Sequence, residues 1–308
     1  MSKVIATNLL LAILLVATIA PEAAAKSDFE RTLDSLFVIA SSMEIMYQNM
    51  RDSAMNSIAA YGANAVPYLI EKFATKSSWD RWTVIWVFQR IGSPAVPLLL
   101  EALKRPDDLV VQRVAWVLGD IKDSSAVNGL LGVCHHSCWQ VRDEAVGSLG
   151  RIGDARASET VREALQDTIG QVRKSAVVSC GQLKVTDAVE ELVLALGDEF
   201  YGARLTAVNS LLQLDTAAVM TVLVDSLGSS DAVVGHMICL VLGKIGNPEA
   251  VMLLAGQLDS SVPARRTHAA LALTQADPKD ECGFLKKYLE SETDRLARLK
   301  IESALNSN

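Results

Sequence analysis

One spacing constrains this chain more than any other feature it carries. Tyr61, Ile91, Ile121, Ile152, Leu183, Leu214, Ile245 and Ala276 recur at steps of 30 or 31 residues, through about eight copies. Self-similarity at a fixed period of about 20 to 50 residues signals stacked supersecondary units, each too small to bury its own apolar face.

The columns around those marks read as helices. Ten residues before the mark stand Arg51, Arg81, Arg142, Arg173, Arg204 and Arg266, with Val111 and Gly235 breaking the series. Seven before stand Ala54, Ala145, Ala176, Ala207 and Ala269, and three before stand Leu118, Leu149, Leu211 and Leu242. That is the spacing of one helical face, and it defines the second helix of each unit. After the mark come helix-start signals, Ser93 with Pro94, Asn247 with Pro248, and Asp123 or Asp154 alone. A short oxygen side chain accepts the first free N–H groups and Pro suits the first turn. A first helix follows each time, as in Val66, Leu69, Ile70 and Phe73, or Val96, Leu99, Leu100 and Leu103. Two helices of about ten to thirteen residues fill each unit, so the expected fold is all-α, a right-handed α-solenoid.

The stretch "QVRDEAVGSLGRIGDARA" raises the thought of a phosphate loop, because Gly147, Gly150 and Gly153 lie three apart. A dinucleotide fingerprint needs a preceding strand, and no alternating pattern precedes this one. Its glycines have structural uses instead. Gly119, Gly150, Gly181 and Gly243, two before the mark, would let the neighbouring unit approach, and Gly92, Gly153 and Gly246 would take positive φ at the helix end.

The segments "AVPLLLEAL", "VQRVAWVLGDIKD", "VRDEAVGSLGRIGD" and "GNPEAVMLLAGQL" resemble the HEAT-like repeats of the phycobilin lyases, from about Met50 to Leu289. The resemblance implies about eight HEAT-like helical hairpins serving mostly as a scaffold for protein contacts, and only occasionally as an enzyme. Val111, Gly235 and the loss of Leu or Ile at Ala276 depart from the pattern.

A net charge of −7 argues against a nucleic-acid partner, which needs a basic stripe. The Arg column is expected instead to pair between repeats with acids such as Asp167, Asp198 and Asp259. The N-terminus differs from the rest. It offers Lys3, an apolar run from Leu9 to Ala20, Pro21, and Ala23 and Ala25 in an A-x-A arrangement. That is the layout of a signal peptide over residues 1–25, and its apolar run is short of the roughly 20 residues a spanning helix needs. No stable membrane insertion is therefore expected after cleavage. Ser27 and Glu30 form a capping box for a helix through Leu33, Leu36, Phe37 and Ala40. The expected organisation is capping helices at 26–61, repeats at 62–289 and a C-terminal capping helix at 290–308.

Chemistry-bearing residues are few. "CHHSC", Cys134 to Cys138, has metal-like density, but Cys134 sits in the core column of Leu103, Leu165, Leu196 and Leu258. A local bridge or a bound zinc is weighed against that inward placement, and no metal is expected. None of the four histidines, His135, His136, His236 and His268, precedes a Glu, so the paired His-Glu motif of the HEAT-repeat hydroxylase that modifies a translation factor is absent. His236 and His268 fall one column apart on adjacent second helices, where they could share a face, and read as solvated or partner-facing. No cofactor and no catalytic set are expected.

The aromatic pattern is the informative departure. All five tryptophans, Trp79, Trp82, Trp86, Trp116 and Trp139, lie within 61 residues of a chain with only 5% aromatics. Trp86 and Trp116 share the column five before the mark, which elsewhere holds Asn56, Gly147 and Asn209, and Trp82 lies four before Trp86. One reading puts Trp82, Trp86 and Trp116 on the concave surface beside Gln89, Gln112 and Arg113, as anchors for a protein or peptide. The other folds the rings down between repeats lined by small residues such as Ala115. The expected function is an exported, periplasmic or secreted, non-catalytic scaffold. The alternative is a lyase- or chaperone-like factor acting on a tetrapyrrole-bearing protein, which export disfavours because those lyases work inside the cell.

Overall fold

The computed structural model describes residues 27–306 apart from 229–230, 278 and 281–282, so the signal peptide expected at 1–25 lies outside the described residues. Among the described residues every regular element is helical. The helices gather into two compact units, Met1–Ile152 and Gly153–Asn308. The first unit holds α1 (Asp28–Ser41), α2 (Arg51–Ala59), α3 (Val66–Lys72), α4 (Ser78–Ile91), α5 (Val96–Ala102), α6 (Asp108–Ile121), α7 (Val127–Val133) and α8 (Trp139–Ile152). The second holds α9 (Ser158–Glu163), α10 (Gly170–Leu183), α11 (Val189–Leu194), α12 (Tyr201–Leu211), α13 (Thr216–Ser226), α14 (Ala232–Ile245), α15 (Pro248–Gln257), α16 (Pro263–Ala276), α17 (Phe284–Ser291) and α18 (Arg295–Asn306).

The two helices of a repeat are less alike than their sequence suggests. Second helices such as α4, α6, α8, α10, α14 and α16 run a full 14 residues. First helices such as α3, α5, α7, α9 and α11 keep only six or seven residues, each entered through a 3-10 turn. The cap explains the turn. Asp123 accepts from the Ser125 amide at 2.9 Å and Asp154 from the Arg156 amide at 3.0 Å, two residues on, which tightens the chain before the α-helix begins. Asn247 instead reaches three residues on, to the Ala250 amide at 2.8 Å, and α15 follows with no 3-10 turn recorded before it. Ser93 is not a cap: it lies inside its turn, and its side chain bonds Asp123 of the next repeat. At α1 the capping box is complete, with Glu30 N donating to Ser27 Oγ at 3.2 Å and Ser27 N to Glu30 Oε2 at 2.9 Å. Leu33, Leu36, Phe37 and Ala40 are buried beneath it.

Second helices pack closely because their facing columns are small. A Cβ on Gly119 of α6 would stand 2.5 Å from Ser148 Oγ of α8, and Ser148 Oγ donates to the Ala115 carbonyl at 2.8 Å. Gly92, Gly153 and Gly246 take positive φ where the second helix ends, and Lys122 and Lys184 stand there in two other repeats in the left-handed helical conformation that Gly246 also adopts. Nothing in a Lys side chain announces that conformation.

The Arg column has a job beyond pairing with acids. Its guanidinium reaches six residues back to a carbonyl left open at the end of the first helix: Arg142 to His136 at 2.8 Å, Arg173 to Asp167 at 2.8 Å and Arg266 to Ser260 at 2.9 Å. Arg173 also holds Asp198 of the next repeat at 2.7 Å, one of the expected inter-repeat pairs, and is pushed above its ordinary pKa by that bond. Asp167 contributes its carbonyl to Arg173, and its carboxylate caps the Ile169 amide at 2.9 Å.

Candidate partner-binding face

The second helices α4 and α6 bring four indoles into one cluster. Trp79, Trp82 and Trp86 lie at i, i+3 and i+7 on α4, so their side chains leave the same stripe of the helix. Trp79 meets Trp86 edge to face at 5.5 Å, Trp86 lies nearly parallel to Trp82 at 6.1 Å, and Trp82 meets Trp116 of α6 edge to face at 5.3 Å. Trp82 is 38% exposed, and Trp79, Trp86 and Trp116 are half-buried. Asn56 and Asn209, which hold the Trp86 and Trp116 column in other repeats, are exposed. The rings lean on one another, and each stays partly exposed.

Trp79 belongs to this cluster although its column gave no reason to include it. The seven-residue spacing to Trp86 was the available signal. Arg51 of α2 stands over its ring at 5.6 Å, and the indole N–H of Trp79 is buried without a hydrogen-bond partner.

Arg113 is a correction. It was expected on this face, but it is 7% exposed and turned the other way, donating to the carbonyls of Phe73 and Thr75, the latter at 3.0 Å. Phe73 and Thr75 close the end of α3, so Arg113 fulfils there the capping role the Arg column serves elsewhere. Six residues before Arg81 is Thr75, the carbonyl Arg113 has taken, and Arg81 turns to Ser78 Oγ at 3.2 Å. Burial first, and then the charge of Arg81, lower the pKa of Arg113. Gln89 is exposed and Gln112 half-buried. Gln89 donates to Asp120 Oδ2 at 3.1 Å.

Charges at the border of the rings hold each other. Arg90 bonds Asp52 at 3.0 Å and the Trp86 carbonyl at 3.2 Å, and Arg151 bonds Glu144 at 2.7 Å and lies 3.5 Å from Asp120. Asp52, Met55, Trp86, Gln89 and Arg90 line a shallow open pocket beside the cluster.

The other candidates separate. In "CHHSC", Cys134 is buried with its thiol on the Leu130 carbonyl at 3.4 Å, and burial pushes its pKa to about 12. Cys138 pairs with Gln140 Oε1 at 3.0 Å, and His136 Nδ1 accepts from the Cys138 amide at 3.1 Å. Among the described residues no three His, Cys, Asp or Glu side chains gather as a metal would require. Cys134, Cys138, Cys180 and Cys239 are free thiols. His236 and His268 share a face: their rings meet at 3.8 Å between α14 and α16, both half-buried, with His236 Nδ1 buried and without a hydrogen-bond partner. No single described helix is long and apolar enough to cross a membrane.

The model of HEAT repeats matches residues 96–179 and 220–306, more than half of the chain. The chain belongs to the HEAT-repeat family. Three solved structures resemble this HEAT-repeat chain. YibA of E. coli shares 18% identity over 84% of this chain and 97% of its own, with a TM-score of 0.50. The complex of CpcE and CpcF of phycocyanin lyase from Nostoc sp. shares 18% over 79% and 94%, with a TM-score of 0.43. Human deoxyhypusine hydroxylase in complex with glycerol shares 21% over 79% and 95%, with a TM-score of 0.36. At such identities the likeness is one of fold. No curated protein matches.

Proposed function

We propose that this HEAT-repeat protein is an exported, non-catalytic scaffold that holds a protein or peptide against the face carrying Trp82, Trp86 and Trp116, with Trp79 beside Trp86. The cluster carries the reading. Large aromatic side chains are costly to leave in water, and they are the commonest anchors of protein interfaces, where they supply area at little loss of side-chain freedom. Here four of the chain's five tryptophans are gathered on two adjacent helices, and two of them, Trp86 and Trp116, stand in a column that two other repeats give to exposed Asn. Export is supported by the signal-like N-terminus.

Trp82 gives the cleanest test. Truncation of a fully buried core residue such as Leu118, 0% exposed, costs about 2 to 5 kcal/mol. Trp82→Ala should melt close to the parent while Leu118→Ala melts far below it, and with the partner in hand Trp82→Ala should lose about 2 kcal/mol of affinity. Equal melting losses for both variants would make the indoles packing groups and remove the site. For export, protein recovered from an exporting host should begin at Lys26 by mass spectrometry; an intact Met1 start would reject cleavage.

A further inference from the structure

We propose that the segment held on the tryptophan face is acidic, with carboxylates that meet Arg81 and Arg51 where α4 begins. The inference rests on the protein-binding reading and narrows it. Arg81 is the starting point. Other members of its column, Arg142, Arg173 and Arg266, commit their guanidinium to the carbonyl six residues back, where it helps to hold the repeat together. For Arg81 that carbonyl belongs to Thr75, and Arg113 has taken it at 3.0 Å. Arg81 is left with the Ser78 hydroxyl at 3.2 Å. A cation in the first turn of a helix stands against the helix dipole, and one neutral hydroxyl offsets little of that cost.

Position brings this charge to the rings. Ser78 and Trp82 are four residues apart on α4, so a guanidinium at the Ser78 hydroxyl lies one turn from Trp82 along the same face. Ser78 is exposed and Arg81 half-buried, which leaves the site open to an incoming group. Arg51 arrives from α2. It stands over the Trp79 ring at 5.6 Å, reaches the Glu44 carbonyl at 3.5 Å, and has its Nε buried without a partner.

Neither guanidinium has a carboxylate partner among the described residues. Acids are not scarce, since Asp and Glu number 36 against 29 Lys and Arg. Those nearby are committed elsewhere: Asp80 to Thr75 Oγ1 at 3.1 Å, Asp107 to the Leu109 amide at 2.9 Å, and Asp52 to Arg90 at 3.0 Å. The buried Arg113 registers the excess, because after burial the charge of Arg81 is the next cause of its lowered pKa, ahead of the opposing Asp107. The face is therefore polarised, with two unmatched guanidiniums where α4 begins and the matched Arg90 and Asp52 towards its other end. A carboxylate can take a guanidinium in a two-point bond, whereas a neutral segment would desolvate both charges unpaired and a basic one would add repulsion. The overall charge of −7 opposes an acidic segment only at long range, where salt screens it beyond about 8 Å.

The test is selection of a random dodecapeptide library, displayed on phage, against the full chain. Selected peptides should be enriched in Asp and Glu beside aromatic or aliphatic residues. One of them, made with capped ends and titrated by indole emission, should bind Trp82→Ala and Arg81→Gln each about tenfold more weakly than the parent. Arg81→Lys keeps the charge and should stay within about threefold, and all these variants should keep the parent urea midpoint. Changing the acids of the peptide to their amides should weaken the parent about tenfold and Arg81→Gln little, as expected when the two groups act on each other. Neutral or basic selected peptides that need Trp82 would overturn the acidic inference and leave the protein-binding reading standing, as would acidic peptides bound equally by Arg81→Gln and the parent. Selection that yields no Trp82-dependent peptide would overturn both.

Discussion

Arg113 and Trp116 stand three residues apart on α6 and answer different demands. The guanidinium of Arg113 is buried because two carbonyls at the end of α3 need donors, and Trp116 keeps part of its ring outside. Arg113→Met keeps the aliphatic packing but orphans the Phe73 and Thr75 carbonyls, which should cost about 2 to 4 kcal/mol by urea unfolding. Loss of binding with unchanged stability would return Arg113 to the partner face. A sequence signal for this existed: Arg is missing from its column at Val111 and reappears two residues later. Column position alone could not say that a guanidinium two places on reaches back to the preceding repeat. His236 is the second case. Burial lowers its pKa, so the folded chain favours neutral imidazole and the unfolded chain binds the proton more readily. Stability from this group is full above the ordinary His value of about 6.5 and falls as pH drops below it. His236→Gln should flatten the dependence of melting temperature on pH between about 7 and 5. An unchanged slope would mean that the pair tolerates its charge.

At the level of elements, the end of the second helix shows how one geometry is met by two residue types. Gly92, Gly153 and Gly246 enter positive φ freely, whereas Lys122 and Lys184 carry a Cβ into it. A left-handed side-chain residue costs about 1 to 2 kcal/mol, partly offset by the greater freedom of Gly in the unfolded chain. Lys122→Gly and Lys184→Gly should each stabilise by about 0.5 to 1 kcal/mol, and Gly153→Ala should destabilise by a similar amount. A loss of stability in both Lys variants would show that the lysine stems pack more than the backbone resists. Helix existence and phase were legible here because Asp, Asn and Gly act on their own backbone neighbours. The shortening of α3, α5, α7, α9 and α11 was not, since a 3-10 turn and a first helical turn share the same apolar spacing.

For the whole molecule, each repeat touches chiefly its neighbours, so a local perturbation should stay local. All five tryptophans lie between Trp79 and Trp139, in the first unit, whereas His236 and His268 belong to the second. Indole emission therefore reports one unit and far-ultraviolet circular dichroism reports both. Between pH about 7.5 and 5.5, the urea midpoint read by circular dichroism should fall more than the midpoint read by emission. Equal shifts by both probes would show that the two units unfold as one. Sequence by itself determined the all-α class, the repeat period, the helix phases, the capping of α1 and the inward cysteine of "CHHSC", because each follows from apolar spacing and short-range hydrogen bonds along the chain. Tertiary structure alone decided which side chains meet. Trp79 joined Trp86, His236 met His268 and Arg113 went inward because the distance and rotation between packed helices, set by contacts such as Gly119 against Ser148, are not written in any one helix.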